Sequence, residues 1–410
     1  MRSKMIVVGV FVTTVCVIGA GVFAQGASEP LAEGAQTAPV ISVSPEEGRP
    51  VVQMAILLDT SGSMSGLIDQ ARTELWSVVN EFIAAERNGM QPEVHVALYE
   101  YGKSSLSGKE GYIRQITPLT RDLDLISAEL FALTTNGGDE YCGWVIREAA
   151  EDLAWSESPD DLKVIFIAGN EPFTQGPVDH KEACREAITR GIVVNTIHCG
   201  PEQQGIDGKW KHGAVLADGR YLNIDQNRQV VHVAAPQDEE IAELSVRLNE
   251  TYVPYGRQGQ VARERQVVQD RNAKAANAEA AIQRAVTKAS SNYHNGGWDL
   301  VDAVDANQVD LDALEPESLP ENMRAMDVSE REAYLQKQAA QRRQVQARIQ
   351  KLNDERKQYV AEQMKQQATG RTLGLAITEL IREQARAKNY TFRSPEASTE
   401  SVTEEPQRLD

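Results

Sequence analysis

Cysteine is scarce in this sequence. There are four in 410 residues, and Cys16 lies inside an apolar N-terminal run. Cys142, Cys184 and Cys199 remain, and none belongs to a Cys-x-x-Cys pair or another zinc spacing. Their spacing leaves two readings open: a Cys184–Cys199 or Cys142–Cys199 bridge, or three small buried thiols. Basic charge is short as well. Lys and Arg number 42 against 60 Asp and Glu, for a formal net charge of −18. Phosphate backbones need clustered Lys and Arg, so nucleic acid is not an expected partner. Beyond the N-terminal run, no stretch is long and apolar enough to span a bilayer. Gly-x-Ser-x-Gly, His-Glu-x-x-His and phosphate-loop patterns are all missing. With no acid, base and nucleophile set in view, the chain reads as a binder and not an enzyme.

Apolar residues make up 41 % of the chain, enough for a sizeable core. Arg2 and Lys4 precede an apolar run from Met5 to Phe23, and Val22-Phe23-Ala24 offers a small-x-small cleavage pattern. Residues 1–24 are therefore expected to be an export signal, with an uncleaved membrane anchor as the alternative. This places the protein in the periplasm, outside the cell or at its surface. Residues 25–49, rich in Ala, Gly, Pro, Ser and Glu, read as a flexible linker. From 50 to 254, apolar runs alternate with segments of helical spacing, which predicts an α/β domain with a doubly wound, mainly parallel sheet. Val51–Leu58, Val94–Tyr101, Leu162–Ala168 and Ile192–His198 are the expected core strands, and Tyr112–Leu119 an edge strand. Residues 205–219 read as an insertion or hairpin, Tyr221–Ala235 as a final strand or two, and Pro236–Asn249 as the closing helix.

Residues 258–393 are dominated by Gln, Arg, Ala and Glu and predict an extended α-helical, partly coiled-coil region. Gln260–Ser290 reads as one helix. Ser329 and Glu332 form a capping box for a long helix running to about Gln367. Leu335, Val345, Ile349, Leu352 and Tyr359 make a seam that Gln338, Arg342 and Arg356 interrupt, which suits an antiparallel helical hairpin and a coiled-coil homodimer equally. Leu373–Ala387 is a final amphipathic helix, and the acidic residues 394–410 read as disordered. Tyr293 to Ala303, centred on Trp298, reads as a hydrophobic docking point for the helical region, with a partner contact as the alternative.

The chemistry concentrates in Ile56-Leu57-Leu58-Asp59-Thr60-Ser61-Gly62-Ser63-Met64. A buried strand ends, and Asp-x-Ser-x-Ser follows at its C-terminal edge, where open α/β sheets place their ligand sites. One carboxylate and two hydroxyls converging on a turn that Gly62 permits are hard oxygen donors. They suit Mg²⁺, Ca²⁺ or Mn²⁺. The plainer alternative is that the two serines cap the following helix.

On this stretch, residues 50–254 resemble the von Willebrand factor A family. The resemblance implies a metal-ion-dependent adhesion site with Asp59, Ser61 and Ser63 as ligands. It also implies an open coordination position that an acidic side chain of a protein partner fills. A second loop, Thr134-Thr135-Asn136-Gly137-Gly138-Asp139-Glu140, carries the Gly pair of the family's loop. There Asp139 stands where many members have Thr, and it is the expected fourth ligand. Thr134 or Thr135 serves instead if the loop folds differently, and a capping Asp139 is the plain alternative. In the third loop Gly169 falls on the usual Asp position, with Asn170 and Glu171 beside it. His198, His212 and His232 lack metal-ligand spacing and read as structural. The expected function is divalent-cation-dependent protein binding. The alternative is a scaffold whose metal site is vestigial and whose helical region makes the contacts.

Overall fold

The computed structural model describes residues 48–230, 232–364 and 372–392. The expected signal segment, nearly all of the expected linker and the acidic tail lie outside them, as does Cys16. The strands are β1 (Val51–Asp59), β2 (Ala85–Glu86), β3 (Glu93–Tyr101), β4 (Ile113–Thr120), β5 (Leu162–Gly169), β6 (Val193–Cys199), β7 (Tyr221–Ile224) and β8 (Thr391–Phe392). Six of them form one sheet in the order β4-β3-β1-β5-β6-β7. All neighbours are parallel except β3 and the edge strand β4. β1 is buried along its whole length because side chains from both of its faces meet helices. Val52, Met54, Ile56 and Leu58 enter one core with α1 (Ser65–Glu81) and α2 (Leu123–Ala132). Ala55 and Leu57 enter the other core with α3 (Cys142–Asp152), α4 (His180–Thr189) and Trp210. Strand alternation thus assigns each residue to one of two layers. Gly191 ends α4 with φ +74°, and the amides of Gly191 and Ile192 bond back to Ile188 and Ala187, as a glycine-terminated helix requires.

Several expectations need correction. Residues 205–219 form two short helices, not a hairpin: α5 (Glu202–Asp207) and α6 (Trp210–Leu216), with Trp210 anchored in the core. Of the final strand or two expected in the stretch 221–235, β7 forms among the described residues, as expected. The segment expected to close the domain, α7 (Asp238–Asn249), is helical but packs away from the sheet. Ile241, Leu244 and Leu248 of α7 meet α9 (Ala278–Lys288) and α11 (Val328–Met364). The closing position belongs to α12 (Leu373–Ala387), whose Leu373, Ala376, Ile377, Leu380 and Ile381 complete the core on the α1 side. Gln260–Ser290 is two helices, α8 (Gly256–Ala276) and α9, because Asn277 is fully extended and its side chain caps α9 at the Ala280 amide, 2.7 Å away. The capping box of α11 is Asp327 with Glu330, their side chains and amides bonding reciprocally at 2.9 and 3.0 Å, two residues ahead of the expected pair.

The α11 seam is covered within the chain except at Tyr359, which is exposed. Val345, Ile349 and Leu352 pack on α7 and α9, and Leu335 packs beside Leu300 and Val301 of α10 (Leu300–Asp305). The arginines that break the heptad pattern are docking charges. Arg342 lies 2.6 Å from both Asp299 and Asp302, and Arg356 lies 2.6 Å from both Asp238 and Glu279. Trp298 stacks on Tyr252 inside the core that α7, α9 and α11 share. The three described cysteines are free and buried, so neither candidate bridge forms. No helix of the described residues is long and apolar enough to cross a membrane.

Candidate functional site

Asp59 is the last residue of β1, opposite Tyr101 of β3, and is fully buried. The chain turns sharply beyond it. The Ser61 amide donates to Asp59 Oδ1 at 2.7 Å, and the Thr60 amide donates to the Tyr101 carbonyl at 2.8 Å. Oδ2 has no well-formed hydrogen bond. A buried carboxylate oxygen left without a partner is costly, so its presence calls for a reason. Burial pushes the Asp59 carboxyl up to about 7. The Ser61 amide and hydroxyl and the Asn170 amide pull the other way, and the Glu171 charge adds to the rise.

The second loop does not place the expected residue. Asp139 is exposed, and its carboxylate accepts a 3.4 Å bond from the Tyr141 hydroxyl. Its neighbour Glu140 turns inward and is buried. Gly102 shows how close Glu140 comes. A Cβ on that residue would stand 2.8 Å from Glu140 Cγ and 2.9 Å from Asp59 Oδ1, and its φ of +81° is a second reason for glycine. Both carboxyl groups therefore meet over one bare backbone position. Burial, then the charges of Asp59 and Glu171, lift Glu140 to about 7 against the Ser61 hydroxyl. The glycine pair makes this possible. Gly137 passes against Gly62, and a side chain on Gly138 would strike the Gly102 carbonyl. Thr134 is exposed and accepts from Lys103 Nζ at 2.9 Å, away from Asp59.

Ser61 is buried and Ser63 is exposed. Ser63 Oγ accepts from Asn170 Nδ2 at 3.2 Å, and the Ser63 carbonyl accepts from Gln226 Nε2 at 3.2 Å. Oδ1 of Asn170 and Oε1 of Gln226 are buried without partners, as is Oδ2 of Asp59. Orphaned oxygens from three loops thus border the Asp-x-Ser-x-Ser turn, a donor set that fits a hard cation and no soft one. No group of three or more His, Cys, Asp or Glu among the described residues is placed to hold a metal. The set here consists of two carboxyl groups with hydroxyls and amides.

Gly169 has a steric explanation. A Cβ there would lie 2.5 Å from the Tyr101 hydroxyl and 3.1 Å from Asp59 Cβ and Oδ2. The Tyr101 hydroxyl holds that space by donating to the Ala168 carbonyl at 3.0 Å. Asp at this position is excluded by Tyr101, and Glu140 brings the second carboxyl from the neighbouring loop. Sequence reasoning passed over Glu140 because the choice between adjacent acids rests on loop direction. The usable signal was Tyr101-Gly102 on the facing strand, a bulky hydroxyl beside an empty position. His198, whose Nε2 lies 3.3 Å from the Asn170 carbonyl, has its pKa lowered by burial and supports this loop.

A central strand ending in Asp-x-Ser-x-Ser, parallel neighbours on both sides and an antiparallel edge strand now stand together. The α/β part of the chain has the von Willebrand factor A-type fold. No family model and no curated protein matches the sequence. Solved structures similar to part of the chain include BatB from Bacteroides thetaiotaomicron, at 16 % identity over 42 % of this chain and 90 % of that one, TM-score 0.33. The VWA domain of SpRpn10 is 16 % identical over 42 % of this chain and 88 % of that one, TM-score 0.31. An aerotolerance-related membrane protein from Bacteroides fragilis is 16 % identical over 43 % of this chain and 93 % of that one, TM-score 0.29. At such identities the chemistry has to come from the rim of the A-type domain itself.

Proposed function

We propose that the rim of the A-type domain binds a divalent cation, Mg²⁺, Ca²⁺ or Mn²⁺, and through it a protein partner that offers an acidic side chain. The observation that carries this reading is the buried Asp59 oxygen without a hydrogen bond, beside the equally unpartnered oxygens of Asn170 and Gln226. Asp59, Ser61, Ser63 and Glu140 are the residues that would hold the ion, with Asn170 beside them. Asp139, turned outward, is left to contacts at the margin. When bound, the ion supplies a Lewis-acidic position that draws an oxygen of the partner. The chain's own part is to keep Asp59 dry, orient Ser61 through its amide, and bring Glu140 in over Gly102. The N-terminal export pattern supports a periplasmic or surface setting, and the lack of a catalytic set supports a non-enzymatic role.

Isothermal titration with each cation tests the site. Wild type is expected to bind at least one of the three. Asp59→Ala should abolish that binding, Glu140→Gln should weaken it tenfold or more, and Asp139→Ala should leave it within twofold. A wild-type protein indifferent to all three sinks the reading. The second reading, a scaffold with a vestigial site, draws on the Gly169 departure. It requires partner capture to survive chelation and to disappear when contacts on the α7–α11 region are lost.

A further inference from the structure

A second site stands apart from the rim. The loop leading into α4 and the start of α6 border an open cleft of about 780 Å³. Its polar wall is basic in a chain of net charge −18: Lys181, Lys209, Lys211 and His212 all line it. Lys209 and Lys211 form no ion pair among the described residues, so their charges are uncommitted. The acid present, Asp179, is already engaged. It accepts from the Lys181 amide at 2.9 Å and lies 3.5 Å from His180 Nδ1. His180 is buried, and its Nε2 meets Nδ1 of His212 at 3.2 Å, which fixes the His212 ring on the wall. Burial lowers the His180 pKa against the Asp179 charge, and the His212 and Lys181 charges act in the same direction as burial. The opposite wall is apolar, with Val178, Ile206 and Val215, the last 65 % exposed. Lys209 carries a further cost. It sits at φ +73°, in the left-handed region, while the adjacent Gly208 has an ordinary φ of −69°. A lysine occupies a position where glycine would relieve strain.

We propose that this cleft binds an organic phosphate monoester, a doubly charged head among Lys181, Lys209, Lys211 and His212 with an apolar body against Val178, Ile206 and Val215. The size suits a small molecule, and the walls divide as such a ligand divides. The ligand is either free or the headgroup of a lipid.

The test uses the full chain with chelator present throughout, so the outcome is independent of the rim. Phenyl phosphate and inorganic phosphate are titrated calorimetrically, and sedimentation with vesicles containing phosphatidic acid is run beside them. Lys209→Gly is the informative variant, because it relieves the backbone and should leave the melting temperature unchanged or higher. Phenyl phosphate is expected to bind saturably, at least tenfold tighter than inorganic phosphate, and to lose fivefold or more in Lys209→Gly and further in Lys209→Gly/Lys211→Gln. Vesicle binding lost in the same variants, in place of phenyl phosphate binding, assigns the lipid headgroup as the source. The proposal is overturned by any of three results: no binding of either probe, equal affinity for the two soluble phosphates, or binding unchanged in the double variant.

Discussion

Two carboxyl groups brought together in a dry place set the chemistry of the rim. Asp59 and Glu140 are both lifted to about 7 by burial; the Glu171 charge adds to both rises, and the Asp59 charge adds to that of Glu140. The sign follows from the direction. A folded-state value above the ordinary carboxylate range favours the protonated form. The associated stability is complete below that range and is lost as pH rises through about 7. In the absence of divalent cations, Asp59→Asn should therefore stabilise the protein by on the order of 1–2 kcal/mol at pH 8 and by little at pH 5. Thermal melts at the two pH values check this, and an equal shift at both would show that Asp59 is not held protonated. Gly169 makes a steric prediction at the same scale. Gly169→Asp should cost about 1–3 kcal/mol through crowding against the Tyr101 hydroxyl and Asp59. Adding Tyr101→Phe should recover part of that loss, measured by denaturant unfolding. If the double variant is no more stable than Gly169→Asp alone, the hydroxyl is not what excludes a side chain.

Among the elements, α12 is the most consequential, because its N-terminus is finished by another helix. The first amides of a helix lack internal partners. Here the Leu373 amide donates to Gln70 Oε1 at 2.8 Å and the Gly374 amide to Glu74 Oε2 at 2.6 Å, both acceptors on α1. The Thr372 hydroxyl also donates to Glu74. Gly374 is required by this contact, since a Cβ would stand 2.6 Å from Glu74 Cβ. Burial lifts Glu74 to about 7, outweighing these bonds. The sign is as for Asp59, so the cap is firm in mild acid and loosens as pH rises through about 7. Glu74→Ala should cost about 1–3 kcal/mol. Amide exchange in α12, corrected for intrinsic rates, should quicken between pH 6 and 8 in wild type and change little in Glu74→Gln. Exchange that ignores pH in wild type would remove Glu74 as the sensitive group.

Across the whole molecule, the helical region is an insertion into the closure of the A-type domain. The chain leaves the sheet after β7, builds α7–α11, and returns to lay α12 on the core that β1 and α1 share. Cutting the chain after Met364 removes α12 and uncovers Val78, Val79 and the sheet face beneath. Such a protein should lose cooperative unfolding or aggregate, whereas a chain ending at Arg393 should melt like the full length. If the shorter protein melts cooperatively near the wild-type temperature, α12 is not part of the core.

What the sequence determined by itself is local. Apart from Gln53, Val51–Leu58 is apolar on both strand faces, which predicts a covered central strand with Asp59-x-Ser61-x-Ser63 at its rim end. Gly191 marked its helix end because only a residue free of Cβ turns there cheaply. The tertiary structure decided whatever depends on groups far apart in the chain. Glu140 and not Asp139 turns inward beside Asp59, because Gly102 leaves room on one side of the loop, and Tyr101 closes the Gly169 position. Arg342 and Arg356 look like breaks in a seam until Asp299, Asp302, Asp238 and Glu279 are folded against them. The closing helix is α12 and not α7 because Gln70 and Glu74 supply acceptors that its first turn needs, a pairing across some three hundred residues that no local periodicity encodes.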